Sequence, residues 1–456
     1  MQSVINYLKA NQKRFLQEYF EYLRFPSVSA QPQHKKDLVA CAKWLAEHCR
    51  QIGLTAEVQP TKGHPIVVAR TPREKNSRKP HFVVYGHYDV QPVEPLELWD
   101  SPPFEPRLAG RQVFARGSTD NKGQNFAHLK AIEAYLKTST PLPCDLTLVI
   151  EGEEEVGSAN LDLFLKKNRR ELACEAVVIS DTGMPDKNHP SLTYSLRGIT
   201  AFEITLHGPA RDLHSGGFGG AVENPAMAMA RLLATVRNDK GRITIDGFYD
   251  GVKPLTRLER QQAALYPLKD AQLKKIVGAP QLFGEAGFTA TEQRSSRPTF
   301  EINGLTSGYQ GEGSKTIVPS WARAKITCRL VPNQDPEHVR KIVIAHLKKH
   351  CPPTVLMEIE AGHGADAYRV LPGSRPAQAA LRALEKAFHR KPILLREGGS
   401  IPIVNQFKKI LGVDSLLIGL GLPDDNAHSP NEKFDLDCFE KGQLMSAYLW
   451  QELSGG

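Results

Sequence analysis

Five short segments hold the histidines and carboxylates whose types and spacing could do chemistry. They surround His87 and Asp89 (YGHYDVQP), Asp120 (RGSTDNKG), Glu153-Glu154-Glu155 (EGEEEVGS), Asp181 (ISDTG) and His428 (NAHSPNE). Imidazoles and carboxylates without thiolates suit zinc, manganese or cobalt in a hydrolytic centre. Two such ions sit about 3.5–4 Å apart in the usual two-metal clamp and need a bridging carboxylate to offset their repulsion. The charges balance. Two divalent ions bring four positive charges; Asp120, Glu155 and Asp181 with one hydroxide bring four negative, and His87 and His428 complete the set. A neutral total suits a partly desolvated crevice. Asp89, two residues beyond His87, can accept a hydrogen bond from the imidazole and fix its tautomer. Taken singly, each segment has a plainer reading: a turn with a satisfied histidine, a solvated run of glutamates at a helix start, an aspartate cap. Their common placement favours the metal.

That placement follows from the surrounding elements. Short β-branched runs at 66–69, 81–85, 146–150 and 176–179 read as buried strands, with helices near 122–138 and 159–168. This alternation predicts an α/β domain, a mostly parallel sheet with helices on both faces. His87, Glu154/Glu155 and Asp181 stand just beyond strands, Asp120 lies in a nearby loop, and His428 follows a strand at 416–418. In such sheets ligands bind beyond the carboxyl ends of the strands, so these side chains can converge there. Helices are also expected over 3–23, over 37–52 with Gly53 as C-cap, and over 434–452.

The pattern changes near Arg197-Gly198. A half-exposed strand at 200–206, a helix near 223–237, an irregular stretch to about 298, strands at 299–303 and 322–331, a helix at 335–349 and a strand at 354–360 suggest an inserted α+β domain. The division expected is 1–196 and 371–456 for the α/β domain, with 197–370 inserted.

Composition narrows the class. At 456 residues the chain exceeds the roughly 250–300 at which single cores stop growing, so two domains are expected. Seven scattered cysteines without a Cys-x-x-Cys argue against a disulfide framework and against a thiolate zinc site. The N-terminus lacks the apolar core of a secretory signal, and no run approaches the ~18 apolar residues of a membrane span. A cytoplasmic protein without membrane partners is expected. The net charge of +8 is dispersed among 50 acids, and the densest basic run, at 73–79, reads as a polar loop rather than a nucleic-acid patch.

The segments GHYDVQP, ARGSTDNKG, EGEEEVGS, ISDTG and NAHSPNEKFD together resemble the di-zinc metallopeptidase family of carnosine dipeptidases, glutamate carboxypeptidases and aminoacylases, most closely its cytosolic non-specific dipeptidase branch. The resemblance spans about residues 10–450 and implies roles. His87 and Asp181 would hold one zinc, Glu155 and His428 the other, and Asp120 would bridge, ahead of a cis peptide to Asn121. Glu154 would be the general base and Asp89 would orient the centre. With Glu153-Glu154-Glu155 aligned on Gly157-Ser158, Glu153 carries no role. The inserted domain would be a lid and dimerisation domain. Its DLHSGGFGG segment would send His214 to the partner subunit's oxyanion. Thr316, Arg329 and the glycine loop with Gly399 and Ser400 would bind substrate. The activity implied is hydrolysis of dipeptides or short peptides by a homodimer; the alternatives are an N-acyl-amino-acid deacylase and a non-catalytic binding protein.

Overall fold

A computed structural model describes residues 1–73, 77–399 and 401–455. The chain divides into two compact units, Met1–Tyr194 with Val370–Leu395 and Ile403–Gly456, and Ser195–Arg369 with Arg396–Pro402.

In the first unit the strand order is Thr55–Gln59, Ile66–Arg70, Asp145–Glu151, His81–His87, Ala176–Ile179, Asp414–Leu417, Ser191–Leu196. The four from Asp145–Glu151 to Asp414–Leu417 run parallel, and antiparallel strands flank them. Nearly every residue of these four is buried, which is why their sequences are unbroken apolar runs. Phe82 and Val84 join the large core built with helices Lys35–Ile52, Gln124–Lys137 and Leu436–Ser454. Tyr85 points to the opposite face, its ring edge-on to Phe407 of helix Pro402–Leu411. Helices therefore cover both faces. Gly53 caps its helix at φ 109°, the left-handed conformation that glycine adopts without steric cost. The helix expected over 3–23 is two, Gln2–Ala10 and Gln12–Leu23. Asn11 breaks it, its Nδ2 donating to the Tyr7 carbonyl at 2.8 Å. In the basic run, residues 74–76 lie outside the described residues, and Arg73 Nε pairs with Asp145 at 2.8 Å.

Beneath these helices lies a buried ionic cluster. Lys130 Nζ donates to Glu18 at 2.6 Å, His48 Nε2 at 2.7 Å and Glu133 at 2.9 Å, using all three ammonium protons. Glu18, His48 and Glu133 have the spacing of a cation site, and the ammonium already fills it. Burial, then Lys130, pushes His48 down to about 3, so the folded ring is neutral. The unfolded ring takes its proton near pH 6.5, so this stability is complete above that pH and is lost as pH falls towards 3. A His48→Gln chain, unable to protonate, is expected to lose up to about 1.4 kcal/mol per pH unit of the wild-type slope between pH 6 and 4. Urea melts across that range measure it; parallel slopes in the two proteins would show that His48 does not contribute.

The second unit is a four-stranded antiparallel sheet, ordered Thr299–Ser307, Trp321–Leu330, Gly198–His207, Leu356–Ala365. Helices Pro225–Ala234 and Pro336–His350 close one face over Phe202, Ile204, Phe300 and Ile326. The stretch 238–298 is not irregular throughout. It holds helices Arg257–Leu265, Asp270–Val277 and Ala290–Ser296, the first and third opened by capping boxes, Thr256 with Glu259 and Thr289 with Glu292. None presents a long apolar stripe, so periodicity does not reveal them.

Candidate active site

Three parallel strands end at one edge of the first unit's sheet, and their ends, with two further loops, bring six side chains together. His87 is the last residue of His81–His87. Glu154 and Glu155 begin a 3₁₀ turn four residues past the register partner of Gly86, Ile150. Asp181 follows Ala176–Ile179. Asp120 lies in the turn before Gln124–Lys137, and the Asp120–Asn121 peptide is cis, as the resemblance implies. His428 stands in a loop where it, Asn426 and Asn431 all have positive φ.

The distances are those of a cluster. His87 Nε2 is 3.1 Å from Asp120 Oδ1 and 3.6 Å from Asp181 Oδ1. His428 Nε2 is 2.8 Å from Asp120 Oδ2 and 3.3 Å from Glu155 Oε2. Asp120 thus stands between the two imidazoles. His87 Nε2 and Glu155 Oε1 are buried without a hydrogen-bond partner. A buried ring nitrogen facing two carboxylates without bonding to either suits ligation of a cation. His87, Asp120 and Glu155 each offer a ligand atom within 4.8 Å of the others. The donor set fits a pair of divalent ions.

Electrostatics agree. Hydrogen bonds to Asp120 and Glu155 push His428 up to about 10. Burial works against a charge on His87, yet Asp181, Asp120 and Asp89 together hold it well above the ordinary imidazole value. Burial raises the Glu154 carboxyl, and Asp181, Glu155 and Asp120 add to it. So much negative charge in one pocket calls for cations.

Other contacts refine the expectations. His87 Nδ1 donates to the backbone carbonyl of Asp89 at 3.1 Å, while the Asp89 carboxylate stands 3.4 Å away. That carboxylate instead accepts from the amides of Glu154, at 3.3 Å, and Glu155, at 3.1 Å. Asp89 therefore ties the His87 strand to the glutamate turn, and the chain's own carbonyl sets the tautomer. Glu153 faces away, accepting from the His64 amide at 2.8 Å and from Asn160 Nδ2. Glu154 and Glu155 are left to the cluster.

Three residues without an expected role complete the centre. Asn121 Nδ2 donates to Asp181 at 2.8 Å, and Gln91 Nε2 to Glu155 at 2.8 Å. Buried Glu432 accepts from the amides of Gly117, Thr119 and Asp120 and from Arg116 at 2.9 Å. It clamps the Asp120 turn. The charged Asn-Glu-Lys setting of Glu432 reads as solvent-facing, so only its adjacency to the His428 segment was a signal.

The remaining expected residues belong to the second unit. His214 is exposed in a two-residue strand paired with Ile317–Val318, and its Nδ1 accepts from the Gly216 amide at 3.0 Å. The carbonyl of exposed Thr316 accepts from Ser215 N at 3.0 Å. Arg329 is half-buried near the end of Trp321–Leu330, and Gly399 is exposed. Ser400 lies outside the described residues.

Comparison with known proteins agrees with this geometry. The model of peptidase family M20/M25/M40 matches residues 83–452. The chain is 31% identical to the Cys-Gly metallodipeptidase DUG1 of Candida albicans, covering 98% of this chain and 96% of the relative. It is 27% identical to the Beta-Ala-His dipeptidase of Mus musculus, covering 100% and 96%. Among solved structures, the M20 family metallo-carboxypeptidase Sso-CP2 from Sulfolobus solfataricus superposes with a TM-score of 0.84 at 32% identity, covering 96% of this chain and 99% of that one. Human carnosine dipeptidase 1 superposes with a TM-score of 0.83 at 26% identity, covering 99% and 98%. With its fold, its clustered ligands and these likenesses in agreement, the chain belongs to peptidase family M20/M25/M40.

Proposed function

We propose that this protein is a metal-dependent dipeptidase. The observation that carries the reading is the meeting of His87, Asp120, Glu155, Asp181 and His428, with an unpartnered ring nitrogen and carboxylate oxygen among them. His87 and Asp181 would hold one divalent ion, Glu155 and His428 the other, with Asp120 shared. Zinc suits the donors best, and manganese or cobalt are acceptable. When bound, the ions supply Lewis acidity to the scissile carbonyl and to the attacking water.

The chain's own residues do the rest. Glu154, raised by burial and by its carboxylate neighbours, accepts the water's proton and returns it to the leaving amine. Asp89 fixes the turn that aims Glu154. Arg329 grips the peptide's α-carboxylate by paired hydrogen bonds. Thr316 and the loop with Gly399 and Ser400 help to hold that end of the substrate, which limits cleavage to short peptides. His214 would stabilise the oxyanion of a partner subunit, making the working enzyme a homodimer. All seven cysteines are free thiols, in keeping with a cytoplasmic setting. No helix among the described residues is long and apolar enough to cross a membrane. That relatives are named Cys-Gly metallodipeptidase and Beta-Ala-His dipeptidase supports peptides, rather than N-acyl amino acids, as the substrates of this chain.

Stripping the protein with a chelator and reloading it tests this. The stripped protein is expected to be inactive on Cys-Gly, β-Ala-His and Ala-Ala, and zinc, manganese or cobalt to restore turnover at two ions per chain. Faster hydrolysis of N-acetyl amino acids than of any dipeptide would move the reading to a deacylase. A protein that takes up no metal would end it.

A further inference from the structure

The second unit's sheet has one face that its two long helices leave uncovered. Along Trp321–Leu330, Ala324, Ile326 and Cys328 fill the core, and the alternate residues Thr327 and Arg329 point the other way. Against that face residues of the segment 238–298 line an open-sided cavity of about 440 Å³. This is within the range of small-molecule sites, roughly 300–1,000 Å³.

Four arginines line the cavity, Arg197, Arg237, Arg294 and Arg329, against two carboxylates, Glu285 and Glu301. Glu285 is engaged by Arg242 at 2.8 Å and Arg297 at 2.7 Å, neither of them in the lining. Glu301 stands 3.6 Å from Arg237. The lining is therefore positive, and its cations crowd one another. Burial, with help from Arg329 and Arg294, pulls the Arg197 guanidinium down to about 10. Arg197 Nε also donates to the Gly398 carbonyl at 3.1 Å, joining the cavity to the glycine loop. The cavity thus adjoins both elements assigned to the peptide's carboxyl end, Arg329 and the 396–402 loop, all within one unit.

We propose that this cavity is a carboxylate subsite that receives the side chain of the substrate's C-terminal residue, so that dipeptides ending in Glu or Asp are preferred to their amide counterparts. The proposal rests on the dipeptidase reading and on Arg329 holding the α-carboxylate. Guanidinium forks match a carboxylate bidentately. An amide has the same shape and brings no charge to offset the cluster, and sites built around such pairing discriminate strongly against the analogue that lacks it.

The test compares kcat/KM of the zinc-loaded protein on Ala-Glu, Ala-Gln and Ala-Ala, in wild type and in an Arg237→Gln/Arg294→Gln double variant. Ala-Glu is expected to exceed Ala-Gln by about tenfold or more, chiefly through KM, and the double variant to bring that ratio to about one. Glutarate is expected to inhibit wild-type Ala-Ala cleavage competitively, a measurement that stands even if the double variant fails to fold. Equal rates on Ala-Glu and Ala-Gln, a ratio unchanged in a folded double variant, or no inhibition by glutarate would overturn the subsite. Failure to cleave any of the three peptides removes the dipeptidase reading instead. Calorimetry then decides: glutarate binding that the double variant loses upholds the carboxylate subsite, and no binding overturns it.

Discussion

A Glu154→Gln chain is expected to take up both metal ions and to lose about three orders of magnitude in kcat, the middle to upper part of the range for a positioned general base. The amide keeps the shape of the carboxyl group and cannot accept the proton. Among the described ion pairs Glu154 joins neither His87 nor His428, whereas Glu155 stands 3.3 Å from His428 Nε2. Metal content should therefore hold at two per chain while turnover collapses, with KM little changed. Steady-state kinetics with metal analysis on one sample separate the outcomes. Loss of metal together with activity would make Glu154 a ligand, and undiminished turnover would remove it from the mechanism. The same variant tests subunit cooperation. Mixed with an inactive His214→Ala chain under conditions of subunit exchange, it should recover activity if His214 serves the neighbouring site. No recovery would confine each site to its own chain.

The second large effect is expected at Asp120. Its two oxygens face different histidines, Oδ1 towards His87 at 3.1 Å and Oδ2 towards His428 at 2.8 Å. Among the described residues no other carboxylate meets both rings at such distances. An Asp120→Ala chain should bind less than one equivalent of metal, because the carboxylate that offsets repulsion between the ions is gone. Its activity should fall by more than about 10⁴-fold, since enzymes supply rate enhancements of ~10⁶ or more and the ions' share leaves with them. Local folding should survive, because the Asp120 amide and its neighbours are held by Glu432 through backbone donors that the substitution keeps. Circular dichroism beside metal analysis checks this. Two tightly held ions in the variant would mean that another group joins the pair.

Much of this site was legible because parallel strands buried on both faces announce themselves as short apolar runs, and the residues just beyond them share an edge. His87, Asp181 and the glutamate turn could be placed by that rule alone. Glu153 could not be told from its neighbours by composition. What sets it apart is His64, whose amide reaches it from 89 residues away in sequence. Asn121, Gln91 and Glu432 are single polar residues whose roles exist only through tertiary contacts. The short helices of 257–296 escaped for a different reason. Their exposed faces weaken the apolar period, although Thr256 with Glu259 and Thr289 with Glu292 spelled their starts. Asn11 broke a helix that apolar spacing alone would have run through, since a side-chain bond to the preceding turn competes with the helical ladder.

The grip of Glu432 on the turn at Gly117–Asp120 has a consequence for biosynthesis. Two segments more than 300 positions apart must be joined before the pocket exists, and the later one, with His428, leaves the ribosome only after everything between them has been made. A nascent polypeptide, or one cut short before residue 428, lacks both the histidine and the clamp. Hydrolytic power would therefore switch on only once the His428 segment has emerged, which spares the shorter nascent chain and its neighbours on the polysome from a half-built peptidase.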